Sequence, residues 1–444
     1  MKNSDVTIIG AGLSGPLMAS YLSKQGYMVD LFERRPDMRK NLDKSGRSIN
    51  LALSQRGIRA LKDIGLFNLI KEKLIALKGR MIHDINGKLS LQPYGTSKRE
   101  VIYSISRSFL NISLLNHVDL DSNISISFDH QLSKVDFRTK QIRFGTKRVD
   151  FRKLIGADGF NSQLRKCIME ETELGFVNKQ LGHGYKELTI PKTTSGDYLM
   201  DPSVLHIWPR GNFMLIALPN TNKTFTCTLF APLVGENSFK KIHTREDIIT
   251  FFRNKFPDII DLIPNLVEDY TLNPVGKLSS IYCNKWNYKD IAIIMGDAAH
   301  AIVPFFGQGM NASFQDCTVL NDLINLHKKN LGNVFKDFGR NHVVNGHAIA
   351  NMALENYIEM RDLVNDENYK RYREMELNLE KKFPDRFIPR YSMVSFNEIS
   401  YSEVYKRGEI QSKIIKDFIS GKISKIERDE MILDQLKPQI FKRT

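Results

Sequence analysis

The stretch Gly10-Ala11-Gly12-Leu13-Ser14-Gly15 constrains this chain more than any other, because of what flanks it. Residues 6–9 before it are apolar and β-branched, the composition of a short buried strand. After it, Leu17, Tyr21 and Leu22 recur at helical spacing, and residues 28–32 read as a second strand ending at Glu33. Strand, glycine turn, helix and strand in that order predict a β-α-β unit that binds a dinucleotide. Gly10 permits the tight turn, Gly12 admits a pyrophosphate, and Gly15 lets helix pack on strand. Glu33 follows Gly15 by 18 residues, where a carboxylate accepts from both ribose hydroxyls. An acid there disfavours a 2′-phosphate, so the tight ligand expected is FAD or NAD.

A second glycine-rich segment lies late in the chain. Residues 291–295 read as a short buried strand, followed by Gly296-Asp297-Ala298-Ala299-His300. Pro304-Phe305-Phe306-Gly307-Gln308-Gly309-Met310-Asn311 then runs on toward Asp316, an ordered loop by its Gly and Pro content. From Ala312 the apolar positions Phe314, Val319, Leu320 and Leu323 predict a helix. Its N-terminal N–H groups are suited to phosphates and electron-rich cofactor edges. Between the two segments, residues 153–159 read as a strand closing on Asp158-Gly159.

The rest of the chain predicts an α/β protein with a sheet-rich insertion and a helical C-terminus. Residues 124–128, 132–137 and 141–144 read as an antiparallel meander. Residues 174–280 are mostly β, with a helix over 244–256 begun by Thr244-x-x-Asp247. Residues 345–363 predict one long helix, and a charged segment follows to 382. Pro384 and Pro389 break the pattern, and 406–437 reads as a basic amphipathic helix facing solvent. The expected domains are an FAD-binding domain (1–75, 100–170 and 281–340), a mixed β-sheet substrate domain (76–99 and 171–280) and a helical domain (341–444).

Composition narrows the function classes. The 444 residues suffice for two or three domains, and 42% hydrophobic with 26% charged is ordinary for a globular chain. Apolar runs fall far short of the ~20 residues of a membrane helix, and the N-terminus has no export pattern. Cys167, Cys227, Cys283 and Cys317 are scattered without metal spacing, so we expect reduced thiols, no metal and a cytoplasmic protein. Net charge is +14. No nucleic-acid motif accompanies it, which leaves a solvated basic surface with a bias toward anionic ligands.

The N-terminal glycine fingerprint, Asp158-Gly159 and Gly296-Asp297 together resemble the flavin-dependent aromatic hydroxylases, single-component monooxygenases of the glutathione-reductase-like FAD fold. Further stretches are similar to the kynurenine-hydroxylating members. They are residues 46–54 with Arg56-Gly57, Gly79-Arg80-Met81-Ile82-His83, Pro93-Tyr94-Gly95-Thr96, residues 223–230, Glu355-Asn356-Tyr357 with Glu359-Met360-Arg361, and residues 389–394.

The resemblance implies roles at the matching positions. Gly10, Gly12, Ser14, Gly15, Glu33 and Arg34 hold the ADP half of FAD; Ala52, Arg107, Leu132, Asp158 and Gln163 line the cofactor. Asp297 contacts the ribityl chain, and Met310 and Asn311 the flavin edge. Arg80, Tyr94, Asn356 and Tyr391 grip L-kynurenine, an arginine and tyrosines being suited to its carboxylate. The implied reaction is NADPH- and O2-dependent hydroxylation to 3-hydroxykynurenine through a flavin hydroperoxide, a step of tryptophan degradation, with no protein nucleophile. Phe305 and Phe306 are either an apolar active-site wall or core aromatics; His300 is either a proton carrier or a structural histidine. Membrane-bound relatives carry a C-terminal anchor that this charged tail does not match. The oligomeric state stays open, a homodimer included. Two rival functions are a related hydroxylase for another aromatic acid and an FAD-binding sensor without turnover.

Overall fold

The computed structural model describes residues 4–40, 50–95, 100–363 and 367–439. Residues 46–49 of the stretch 46–54, Thr96, and Asp366 at the start of the charged segment lie outside them. The chain forms two compact units. The first comprises Met1–Leu74, Ile105–Lys179 and Ser279–Ala350; the second comprises Ile75–Ser104, Gln180–Leu278 and Asn351–Thr444.

The first unit is built on a six-stranded sheet. Its order is Asn287–Tyr288, Ala292–Ile294, Lys153–Gly156, Val6–Ile9, Val29–Phe32 and Ile124–Ser127. Neighbours are parallel except for the antiparallel edge strand Asn287–Tyr288. Parallel strands are covered on both faces, which is why they read as continuous apolar runs. Val6, Ile8, Leu154, Ile155, Ile293 and Ile294 are accordingly buried. The helix Ser14–Lys24 follows the first strand at the turn the glycines predict.

One expectation is corrected here. Residues 124–127 do not join a meander; they pair in parallel with Val29–Phe32, Val29 opposite Ile124. The meander is instead Lys134–Asp136, Gln141–Phe144 and Lys147–Asp150. Alternation marks a strand as half-buried but does not choose its partner.

The second unit carries a seven-stranded sheet. Its order is Gly276–Cys283, Phe176–Ile190, Phe225–Pro232, Met214–Pro219, Leu205–Pro209, Gly79–His83 and Leu89–Pro93. Leu205–Pro209 pairs in parallel with Gly79–His83. The helix Arg245–Lys255 starts with the expected capping box between Thr244 and Asp247. Phe251, Phe252 and Phe256 from this region share a core with Trp208, Leu215 and Phe225 of the sheet.

The C-terminal helices depart from the sequence reading twice. The helix expected over 345–363 is α-helical through Ile358 and then widens into a π-helical turn, Glu359–Leu363. The basic tail is two helices, Tyr401–Ile419 and Lys425–Gln435. Gly421, at φ +73°, ends the first, and a Ser424–Glu427 capping box starts the second. Their apolar face is not solvent-directed. Ile414, Ile415, Ile432 and Leu436 are buried with Leu379 and Phe387, each worth about 1.5–3 kcal/mol relative to exposure. Among the described residues no helix is long and apolar enough to cross a membrane.

Candidate active site

In the first unit the glycine turn is shaped by close backbone approach. A Cβ at Gly10 would lie 2.4 Å from the Ala157 carbonyl oxygen, and one at Gly15 would lie 1.9 Å from that of Gly10. Only glycine fits at either position. A Cβ at Gly12 would meet nothing within 4 Å. That open space beside the N-terminus of Ser14–Lys24 is where a pyrophosphate would be cradled. Asn111 donates to the Ala11 and Gly12 carbonyls, 3.1 and 3.3 Å, and so braces the loop. No motif marks this asparagine, since it sits on the helix Arg107–Asp119, far away in sequence.

Glu33 is buried, and its carboxylate accepts from the Ala11 N–H at 2.8 Å and from the Arg35 N–H and Nε at 3.1 and 2.9 Å. The acid expected at the ribose is therefore already fastened to the glycine turn. Arg34, beside it, is exposed. Asp158 is spent on structure: Ser162 Oγ, Gln163 N and Leu164 N donate to it at 2.6, 2.7 and 3.1 Å. It thereby caps the helix Gln163–Glu171, while burial pushes its carboxyl up against the pull of those bonds. Gln163 also reaches the Ser133 carbonyl at 3.3 Å, next to buried Leu132.

The late loop converges on the same turn. Gly296 stands at φ +57°, and a Cβ there would lie 3.0 Å from Ser313 Oγ and 3.3 Å from Ser14 Oγ. Asp297 begins a short helical turn, Asp297–His300. Its side chain is open to solvent, with dense protein packed around its base. That crowding pushes its carboxyl above the usual range; Arg107 and His300 oppose the shift and Asp316 adds to it.

The following helix is longer than expected, Gly309–Leu326, so Met310 and Asn311 lie in its first turn. Asn311 donates to the Ala52 and Gly307 carbonyls at 2.7 and 2.9 Å and accepts from Ser54 N at 2.9 Å. Its side chain clamps the Asn50–Leu53 strand to the helix, which leaves the backbone of this turn as the part able to face a flavin. Phe305 and Phe306 are both buried. His300 is buried too, and its Nε2 donates to Asp316 at 2.6 Å.

The second unit brings together the four residues expected at the substrate. Arg80, on the strand Gly79–His83, is 8% exposed. Its guanidinium lies 4.9 Å from the Tyr391 ring centroid and 5.8 Å from that of Tyr94. The two tyrosines stack, centroids 4.9 Å apart and planes 10° from parallel. The buried Tyr94 hydroxyl faces Arg80 and Tyr391, and among the described residues no hydrogen bond of full geometry satisfies it. A buried hydroxyl in that condition costs stability unless a ligand meets it. Asn356 is buried on the preceding helix, with Nδ2 3.2 Å from Met360 Sδ, a weak acceptor.

Glu359, one turn beyond Asn356, was not assigned a role from sequence. Its carboxylate is 3.6 Å from Arg80 Nη1 and accepts from the Tyr369 hydroxyl. Burial works against the Arg80 charge, but Tyr391, Glu359 and Tyr94 more than compensate and raise its pKa. A separate cavity of about 710 Å³ in this unit is lined by Arg210, Lys255 and Lys370 among others and includes none of the four.

The glycine turn, the open acid and the late loop define a class, the FAD-binding monooxygenases. A family model described as FAD binding domain matches residues 3–329. The tetrameric form of 2-methyl-3-hydroxypyridine-5-carboxylic acid oxygenase shares the fold, with a TM-score of 0.68 over 82% of this chain and 94% of that one at 15% identity. Within that class the chain belongs to the kynurenine 3-monooxygenase family. It is 41% identical to the kynurenine 3-monooxygenase of Myxococcus xanthus over 426 residues, 95% of this chain and 92% of that protein. It is 42% identical to that of Xanthomonas axonopodis pv. citri over 427 residues, 95% and 93% of the two chains. Against that of Legionella pneumophila (strain Corby) identity is 40% over 417 residues, 93% and 92%.

Proposed function

We propose that this chain hydroxylates L-kynurenine at the ring carbon ortho to the amine, with FAD as bound cofactor and NADPH and O2 as co-substrates. The observation that carries the substrate reading is the Arg80–Tyr94–Tyr391 cage. A buried guanidinium beside two stacked tyrosine rings, next to the buried Tyr94 hydroxyl, suits a ligand carboxylate. Asn356, buried on the helix that also carries Met360, supplies a further amide to the amino-acid end.

The first unit fits FAD by its own geometry. The open space at Gly12 takes the pyrophosphate against the N-terminus of Ser14–Lys24, with Gly10 and Gly15 shaping the turn. Glu33, with Arg34 next to it, receives the adenosine ribose, and Asp297 receives the ribityl hydroxyls. Ala52, Arg107, Leu132, Asp158 and Gln163 form the lining, and Met310 and Asn311 present backbone to the ring. When bound, FAD supplies the redox chemistry, accepting a hydride from NADPH and activating O2. The kynurenine amine donates electrons to the ring carbon that receives the oxygen, so no protein nucleophile takes part. What remains for the chain is to bind, orient and keep water out. The apolar side chains Phe305 and Phe306 serve the last of these.

The test is an NADPH oxidation trace on FAD-loaded protein with and without L-kynurenine, with mass spectrometry of the product. The expected result is kynurenine-stimulated oxidation and a product heavier by one oxygen. Background oxidation and unmodified kynurenine would overturn the reading.

A further inference from the structure

Beneath the late loop lies a buried cluster that the reaction does not use. Asp316, on the helix Gly309–Leu326, is 1% exposed and accepts three hydrogen bonds. Gly296 N–H donates to Oδ2 at 2.7 Å, His300 Nε2 to Oδ2 at 2.6 Å and His342 Nε2 to Oδ1 at 3.0 Å. With three donors and no acceptor facing it, the carboxylate has to be ionised. The Asn345 amide nitrogen lies 3.2 Å from His342 Nδ1 and ties that ring to the start of the next helix. Aromatic rings hold both histidines. Trp286 stacks on His300 at 4.8 Å, and Phe338 on His342 at 5.0 Å. The packing has no slack, since a Cβ at Gly346 would lie 2.6 Å from Trp286 and 3.0 Å from His300 Cβ.

The Gly296 amide is the one that matters for the cofactor. It precedes Asp297, and its residue stands at φ +57°, a conformation that glycine adopts freely and does not itself fix. We propose that Asp316 is the positioning residue of the flavin loop: braced by His300 and His342, it fixes the Gly296 amide and so presents Asp297 to the ribityl chain. It acts through the loop and touches no reacting atom. The proposal rests on FAD binding in this unit and not on the identity of the substrate.

The charges around His300 make the hold pH-dependent. Asp316 and Asp297 face it; His342 and Cys317 lie beyond the first, and Arg107 beyond the second. Burial disfavours the imidazolium, but Asp316, with Asp297 adding, holds its pKa above the ordinary value. The charged pair is thus complete below the ordinary histidine pKa of about 6.5 and is lost as pH rises through the raised one.

The experiment measures FAD dissociation by recovery of free-flavin fluorescence across about pH 6 to 9. Wild type should hold FAD best at the acid end and release it as His300 loses its proton. Asp316→Asn should weaken FAD at least about tenfold and move the decline to lower pH, because the imidazolium loses its carboxylate. His342→Phe should move the decline to higher pH, because Asp316 then keeps more of its charge for His300. This variant leaves the Gly296 and His300 bonds in place and serves if Asp316→Asn fails to fold. Either variant showing the wild-type pH profile overturns the proposal. So does a fall in the thermal midpoint of the FAD-stripped protein with FAD affinity unchanged, which would assign the cluster to fold stability alone.

Discussion

Replacing Arg80 tests the substrate cage most directly. The guanidinium is 8% exposed, packed on Tyr391 at 4.9 Å and 3.6 Å from Glu359. Truncating one partner of a buried charge-assisted pair costs roughly 2–5 kcal/mol. About 3 kcal/mol corresponds to a Kd raised about 150-fold, since about 1.4 kcal/mol is tenfold. Arg80→Ala adds a second penalty, because Glu359 loses its cation and now repels the kynurenine carboxylate. Arg80→Ala with Glu359→Gln should therefore bind better than Arg80→Ala alone, recovering about 1 kcal/mol by the double-mutant cycle. Arg80→Lys keeps charge but loses the planar fork and its stacking, and should fall between wild type and Arg80→Ala. The assay is the change in flavin fluorescence on titration with L-kynurenine, with FAD content read from absorbance in the same samples. Arg80 lies outside the FAD-holding unit, so flavin content should stay at the wild-type level. Kynurenine affinity within about threefold of wild type, or loss of flavin from Arg80→Ala, would refute the reasoning.

Further outcomes follow from the geometry. Gly296→Ala forces a side chain into the left-handed region 3.0 Å from Ser313 Oγ. It should cost about 1–2 kcal/mol, visible as a lowered thermal midpoint and reduced flavin content. His206 is buried, and that burial, with His83 alongside, pushes its pKa down to about 4. The unfolded chain then takes up a proton that the folded ring refuses, so stability falls as pH drops from about 6.5 toward 4. The loss is about 3 kcal/mol at most, and thermal midpoints of His206→Asn should show a shallower slope. All four cysteines are buried, and burial pushes Cys283, for example, up to about 11. A thiol reagent near pH 8 should label the native protein slowly and all four sites only after denaturation, as mass spectrometry would show.

Much of this was legible in the sequence because it is local. Gly10, Gly15 and Gly296 are fixed by backbone approach and dihedral, and the strands around them by unbroken apolar runs. The capping box at Thr244 was readable for the same reason. Partners distant in the chain were not. Periodicity marked residues 124–127 as a strand, but only the tertiary register placed them in the parallel sheet. The residue types of Asn311 and Asp158 were legible, but not that the side chain of one meets Ala52, Ser54 and Gly307 and that of the other a helix start. Asn111, Glu359 and the pair His342 and Asp316 carry no local signature. Each acquires its role from a group tens to hundreds of residues away. The basic tail shows the same division: its amphipathic period was evident, and only folding supplied Leu379 and Phe387 to cover it. Sequence determines which faces must be buried and where the backbone can turn. Tertiary structure decides which groups meet there, because hydrogen bonds and ion pairs depend on distances the chain order does not specify.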